Sequence, residues 1–191
     1  MVTHEYTPVS EDEYLRLEAR SPVRHEYVNG ELFAMTGGTL RHNAIAGNLF
    51  AALRAHLRHT PCRPFVNDVR VQVKKQNAFY YPDVVVSCGP GMHALDIESS
   101  TVFDPLLIVE VLSITTEATD RREKLLAYRT LPSLAEYVLV SQDRARVEIY
   151  RRRGDIHWER IEFSAGEPVR FDSVDLTLAM RDIYEGIPID S

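Results

Sequence analysis

The most apolar run in the chain, LLIVEVLS at residues 106–113, constrains the fold more than any other feature. A run of this length and composition is typical of a buried strand, so it predicts a sheet in the core. Glu110 stands in the middle of the run. Because burying an unpaired carboxylate is costly, the sequence predicts that a compensating cation lies beside Glu110.

A second carboxylate, Asp83, opens another apolar run, YPDVVVS at residues 81–87. If the two strands are neighbours, Asp83 and Glu110 can converge on one cation. A hard divalent ion such as Mg²⁺ is commonly held by one or two protein carboxylates, and its remaining positions bind water and phosphate oxygens. The two acids therefore indicate a candidate metal site suited to phosphate chemistry.

Two segments in the first part of the chain have helical patterns. Ser10 and Glu13 have the spacing of a capping box and predict a short helix. Residues 40–58 place apolar side chains three and four positions apart, which is typical of an amphipathic helix. His42 lies on the apolar face of this second helix.

A third helix is predicted over residues 116–130, after the strand that carries Glu110. Asp120, Lys124 and Tyr128 follow one another at intervals of four, so they share one face of this helix. Lys124 could therefore reach the candidate metal site. Tyr128 is interpreted as a packing residue.

Hairpin and strand patterns account for most of the remaining chain. Asn29 and Gly30 are a strong signal for a tight hairpin at residues 25–35. The alternation at 65–75 predicts one continuous strand, and a longer hairpin is expected at 145–163. The order of helices and strands predicts a mixed α/β or α+β fold. The length of 191 residues fits a single domain over residues 1–191.

Composition limits the classes of function that the chain can have. The net charge of −6 disfavours coating of nucleic acid by bulk electrostatics, so any contact with DNA must be local. We find no apolar stretch long enough to span a membrane and no secretory signal, and we expect the protein in the cytoplasm. Cys62 and Cys88 are distant in sequence and lack metal-binding spacing, so both are expected to be reduced thiols.

The sequence resembles the Uma-type restriction endonuclease family, a branch of the PD-(D/E)XK nuclease superfamily, across nearly its whole length. The resemblance implies a restriction-endonuclease-like fold, with a mixed central sheet flanked by helices. It also implies endonuclease activity that depends on Mg²⁺ or Mn²⁺. The matching segments, in chain order, are HEYVNGELFAM with the downstream His42, YPDVVV, PLLIVEVLS, TDRREKLLAY and LAEYVLV.

The same resemblance implies a role for individual residues. Asp83 and Glu110 correspond to the two metal-binding acids, together with the backbone carbonyl of Val111. The superfamily motif places a lysine two residues after the glutamate, where this chain has Leu112. The resemblance then assigns the role of that lysine to Lys124 on the next helix.

Three further residues are accessory candidates. Glu26 matches the accessory acid of the family, and His42 matches its downstream histidine. Asp120 is interpreted as a helix-start acid or as a partner of Lys124.

Structural roles remain open as alternatives for the main candidates. Asp83 could cap a strand, and Glu110 could be the ion-pair partner of Lys124. At the level of function, the alternatives are a nuclease-fold binding module with little catalysis and a metal-dependent hydrolase of a small phosphoester. The expected partners are DNA and a second copy of the chain, since exposed hairpin edges favour pairing into a homodimer.

Overall fold

The computed structural model describes residues 8–89, 99–113 and 116–189. The α-helices are α1 (Glu11–Glu18), α2 (Leu40–His56), α3 (Glu117–Thr119), α4 (Leu125–Tyr128) and α5 (Met180–Ile183), with a π-helical turn at Asp120–Lys124 between α3 and α4 and 3-10 turns at Lys74–Gln76 and Asp172–Val174. The strands are β1 (His25–Val28), β2 (Glu31–Ala34), β3 (Cys62–Val66), β4 (Arg70–Val73), β5 (Ala78–Tyr80), β6 (Val84–Cys88), β7 (Thr101–Val102), β8 (Pro105–Leu112), β9 (Glu136–Ser141), β10 (Arg146–Arg152), β11 (Trp158–Ser164), β12 (Pro168–Phe171) and β13 (Leu176–Ala179).

The predicted apolar run forms β8, the long inner strand of a six-stranded sheet with the order β11-β10-β9-β8-β6-β3. β8 runs parallel to β9 and antiparallel to β6, so the sheet is mixed. Seven of the eight residues of β8 are buried. A five-stranded sheet with the order β2-β1-β5-β4-β7 and the β12–β13 ribbon complete the sheets of the described residues.

Helical segments cover both faces of the six-stranded sheet. On one face, Ile45 and Leu49 of α2 pack in a cluster with Val109 and Val111 of β8. On the other face, Tyr128 of α4 packs in a cluster with alternate β8 residues. Since neighbouring residues of a strand point to opposite faces, β8 contributes to both cores. The predicted mixed sheet flanked by helices is therefore confirmed.

Most of the predicted local elements are found. Ser10 caps α1 by accepting a hydrogen bond from the Glu13 amide at 3.3 Å. The hairpin of β1 and β2 turns at Asn29 and Gly30, whose φ angles of 50° and 94° are those that a type I′ turn requires. The hairpin of β10 and β11 forms as expected.

The continuous strand predicted at residues 65–75 is wrong. Asn67 has a φ of 55°, which breaks the extended backbone between β3 and β4. The two strands then enter different sheets. Asparagine tolerates this left-handed conformation better than most residues, and the amide of Asn67 also donates a hydrogen bond to the Asp83 carbonyl at 3.1 Å.

The expectation of two reduced thiols is also wrong, because Cys62 and Cys88 form a disulfide. The antiparallel register of β3 and β6 makes the two cysteines direct cross-strand partners, with their Cα atoms 4.0 Å apart. Their separation in sequence concealed this proximity. The segment 88–104 shows no clear periodicity in the sequence, and its residues 90–98 lie outside the described residues. None of the helices in the described ranges is long and apolar enough to cross a membrane.

Candidate active site

The register of β6 and β8 brings the two candidate acids to the same end of the sheet. Val84 pairs with Val109, so Asp83, directly before β6, lies alongside Glu110 of β8. The Oδ2 atom of Asp83 accepts a hydrogen bond from the Val111 amide at 2.7 Å. The strands of the two acids are therefore neighbours, as convergence on one cation requires.

Asp83 also has a second partner, which comes from helix α2. The Nε2 atom of His42 lies 2.7 Å from Oδ1 of Asp83. Burial alone would lower the pKa of His42, but the hydrogen bond and the charge of Asp83 outweigh it and raise this pKa above its ordinary value. The structure thus places His42 in the site, and both oxygens of Asp83 are engaged.

The start of α2 fixes the position of the His42 ring. Thr39 is the N-cap, and its Oγ1 accepts a hydrogen bond from the His42 amide at 3.1 Å. A Cβ atom at Gly38 would lie only 3.0 Å from the ring, so the absence of a side chain there leaves room for it. Neither constraint was deduced from the sequence, although the GGT segment before the helix contains the residues concerned.

Lys124 lies at the centre of a group of carboxylates. Its Nζ atom is 2.9 Å from Oε1 of Glu26, 3.2 Å from Oε1 of Glu110 and 3.2 Å from Oδ1 of Asp120. These acids come from β1, β8 and the π-helical turn, so the tertiary fold assembles the group. The compensating cation predicted beside Glu110 is therefore Lys124.

Burial and neighbouring charges both shift the pKa values of Lys124 and Glu110. Burial lowers the pKa of Lys124, but Glu110, Glu26 and Asp120 more than compensate, so the pKa is raised well above its usual value. Burial raises the pKa of Glu110, and neighbouring carboxylates add to this effect, while Lys124 partly offsets it. Lys124 therefore remains an ammonium ion in the folded protein.

The π-helical turn positions both Asp120 and Lys124, and such turns are frequent at functional sites. Tyr137 holds the turn by donating a hydrogen bond to the Asp120 carbonyl at 3.0 Å. Tyr128 donates a hydrogen bond to Oε1 of Glu110 at 3.2 Å. The interpretation of Tyr128 as a packing residue missed this contact, although its spacing from Lys124 already placed the two on one helix face.

The donor chemistry of the site fits a hard divalent ion, since it offers carboxylate oxygens. Oδ1 of Asp120 is buried without a hydrogen-bond partner, and it forms an ion pair with the Lys124 ammonium at 3.2 Å. In the present arrangement, however, the described residues contain no group of three or more His, Cys, Asp or Glu side chains gathered closely enough to hold a metal ion. Lys124 occupies the space among the acids.

Comparison with solved structures identifies the class of fold. The protein is similar to the crystal structure of a putative nuclease belonging to DUF820 from Anabaena variabilis, with a TM-score of 0.75 and 19% sequence identity. The match covers 92% of this chain and 97% of that chain. The restriction-endonuclease-like fold expected from the sequence is thereby confirmed.

Comparison of sequences identifies the family. A family model described as "Uma2: Putative restriction endonuclease" matches residues 11–181, so the chain belongs to the Uma2 family. An uncharacterized protein of Synechocystis sp. is 32% identical over 183 residues, which covers 95% of this chain and 94% of the relative. A second Synechocystis protein, also uncharacterized, is 34% identical over 146 residues, with 76% and 82% coverage. The family resemblance expected from the sequence is confirmed.

Proposed function

We propose that this protein is a metal-dependent endonuclease that hydrolyses phosphodiester bonds in nucleic acid, with DNA as the expected substrate. The observation that carries the proposal is the convergence of Asp83, Glu110 and Lys124 at one end of the β6–β8 pair. Membership of a family described as restriction endonucleases supports the same function.

The proposed metal ligands are Asp83, Glu110 and the carbonyl oxygen of Val111. A bound Mg²⁺ or Mn²⁺ ion would supply a Lewis acid that polarises a phosphate oxygen and makes a water molecule more acidic. The hydrogen bond from the Val111 amide and the contact with His42 hold the Asp83 carboxylate in a fixed orientation. The accessory acid Glu26 adds a further oxygen beside Lys124.

Lys124 is proposed as the group that orients the attacking water and offsets charge on the phosphate. Its ammonium has three donors, and it lies within 3.2 Å of Glu110. Asp120 and Tyr128 keep the lysine and the glutamate in place from the same helix face. Preorganised charge of this kind is a large contribution to catalysis in water-excluded sites.

The ion pairs of Lys124 also favour a second candidate function, a nuclease-fold binding module. Three carboxylates surround its ammonium, as they would if the lysine served only to neutralise buried charge. The two candidates differ in what a divalent ion does: only the endonuclease requires it for turnover.

Cleavage assays with titrated Mg²⁺ and Mn²⁺ test the proposal directly. Oligonucleotides of single-stranded DNA, duplex DNA and RNA serve as substrates, and a chromogenic phosphodiester represents the small-phosphoester alternative. We expect metal-dependent cleavage of at least one nucleic acid. Binding without cleavage at any metal concentration would favour the binding module. Hydrolysis of the small ester alone would favour a metal-dependent hydrolase of small phosphoesters.

We also propose that the protein is a homodimer that presents two active sites to a duplex. β11 is an edge strand of the six-stranded sheet, and an exposed edge is a template for pairing with another chain. Two-fold dimers are the commonest assemblies. Sedimentation that detects only a 21.8 kDa species at micromolar concentration would contradict the dimer.

A further inference from the structure

A polar cavity of about 280 Å³ lies next to the candidate active site, at the carboxyl ends of the parallel strands β8 and β9. Leu112 from β8 and Gln142 after β9 belong to its wall. Ligands of sheets that contain parallel strands commonly bind outside the carboxyl ends of those strands. The location of this cavity therefore makes it a candidate ligand-binding site.

Gln142 connects the cavity to the candidate active site. Its Nε2 donates a hydrogen bond to the Leu112 carbonyl at 2.7 Å, and its Oε1 accepts one from Oγ1 of Thr39 at 2.9 Å. Thr39 caps the helix that carries His42. Since a strand rises about 3.4 Å per residue, Leu112 lies only about 7 Å along β8 from Glu110. A chain of linked phosphates could reach both places.

Three arginines from different parts of the fold line the cavity: Arg121, Arg144 and Arg146. Buried Glu148 holds two of them, with its Oε1 at 2.7 Å from Arg121 and 3.2 Å from Arg146. These contacts fix the two guanidinium groups before any ligand arrives. Arginine is the side chain best suited to phosphate, because its planar group donates several hydrogen bonds at once.

Arg144 differs from the other two because its side chain is free to bind. It is exposed between β9 and β10, and its guanidinium makes no ion pair or hydrogen bond with any residue that the structure describes. The cavity also contains Glu117, which is 2.7 Å from Arg121, and Asp143, whose carboxylate is 3.8 Å from Arg41. Glu148 and Glu162 offset the charges of Arg121 and Arg146, so Arg144 is the arginine of the lining whose charge no ion pair with a described residue offsets.

We infer that this arginine-lined cavity binds a backbone phosphate of the nucleic acid, next to the phosphate that is cleaved. The inference rests on the proposed endonuclease function, and it adds the subsite that sets the position of the substrate strand. Arg144 supplies the charged contact that forms on binding, while Arg121 and Arg146 present guanidinium donors that Glu148 holds in place. Such a contact is local, as the acidic composition of the chain requires.

The test compares Arg144→Ala with Arg58→Ala. Arg58 is also exposed, but it follows the opposite end of α2, about 28 Å from Thr39 at a rise of 1.5 Å per residue. Fluorescence anisotropy would measure the Kd for duplex DNA, single-stranded DNA and RNA of one sequence, without divalent metal and over a range of salt concentrations. We expect Arg144→Ala to raise Kd about fivefold to tenfold and to lower the salt slope by about 1, with no such change for Arg58→Ala.

Equal Kd values for wild type and Arg144→Ala would overturn the subsite, and so would equal losses in both variants. A cleavage assay on the same oligonucleotides with Mg²⁺ tests the proposed endonuclease function separately from the subsite. Cleavage with binding that does not depend on Arg144 refutes the subsite alone. Binding that depends on Arg144 but never leads to cleavage supports the subsite and refutes the endonuclease.

Discussion

The ammonium of Lys124 lies 3.2 Å from Oε1 of Glu110, and both side chains are buried. This pair can be interpreted either as a structural ion pair or as a catalytic lysine beside a metal-binding glutamate. Removing one partner of a buried ion pair leaves an uncompensated charge, whatever the pair does in catalysis. Stability and turnover must therefore be measured on the same variants.

We expect Lys124→Met to lower the free energy of unfolding by about 3 to 5 kcal/mol, because three carboxylates lose their shared cation. If the acids bind Mg²⁺, the ion should restore part of this loss, since it binds only the folded state. Turnover should fall by about 10² or more. Urea denaturation with and without Mg²⁺, combined with cleavage rates, measures all three.

Lys75→Met is the matched control, because Lys75 is exposed in the 3-10 turn that follows β4. We expect it to leave both stability and turnover unchanged. A loss of stability in Lys124→Met without any effect of Mg²⁺ on the wild type would support the binding module.

We expect Asp83→Asn to keep the fold and abolish the effect of Mg²⁺. The Asn oxygen can still accept the hydrogen bond from the Val111 amide, while the charge needed for a metal ion is gone. Thermal melts over a Mg²⁺ titration should show a rise in Tm for the wild type and none for the variant. Asp68→Asn is the control, because Asp68 is exposed, and it should behave as the wild type. A Mg²⁺-dependent rise in Tm that persists in Asp83→Asn would show that Asp83 is not a metal ligand.

Gly38→Ala should displace the His42 ring, because the new Cβ would lie about 3.0 Å from it and Asp83 holds the ring from the other side. We expect a loss of about 1 to 3 kcal/mol in stability, the usual cost of overpacking, together with slower cleavage. Gly37→Ala is the matched control, since nothing lies within 4 Å of its Cβ position. Chemical denaturation and the NMR shifts of His42 distinguish Gly38→Ala from Gly37→Ala. Identical stability and shifts in the two variants would show that the His42 ring is not confined.

Glu148 predicts a dependence of stability on pH. Burial by itself raises the pKa of Glu148, but hydrogen bonds from Arg121 and Arg160 outweigh burial and hold the pKa below its usual value. A lowered pKa stabilises the folded state above the unfolded-state pKa of about 4.3, and this stabilisation is lost as the pH falls through the folded-state value.

The free energy of unfolding of the wild type should therefore decline between about pH 5 and pH 3 more steeply than that of Glu148→Gln. Denaturant titrations across this range measure the difference. Glu159→Gln, in an exposed pair with Arg153, is the control and should follow the wild type closely. Parallel curves for wild type and Glu148→Gln would contradict the stabilising role of Glu148.

The Cys62–Cys88 disulfide closes a segment with a sequence separation of 26 residues. Its removal should cost about 3 to 4 kcal/mol on the loop-closure model. Melts of the wild type should shift to lower temperature with dithiothreitol, whereas those of the Cys62→Ser, Cys88→Ser double variant should not respond to it. A wild-type Tm that is the same with and without dithiothreitol would mean that the disulfide contributes nothing to stability.

Local patterns in the sequence were enough to predict the elements that carry the site. The apolar run around Glu110 specifies a buried strand because water exclusion dominates its energetics. Spacing placed Asp120, Lys124 and Tyr128 on one helix face, although it did not reveal the π-helical turn that presents them. Matching segments in their order along the chain were sufficient to predict the family.

Only the tertiary structure decided which of these groups meet. The register of β6 and β8 sets Asp83 beside Val111, and β1 brings Glu26 to Lys124 from a distant part of the chain. The Cys62–Cys88 bond and the break at Asn67 depend equally on strand pairing, which no local pattern encodes. Contacts between distant residues arise from packing the whole chain into sheets and helices, so the sequence by itself determined most of the elements and the three-dimensional fold determined the site.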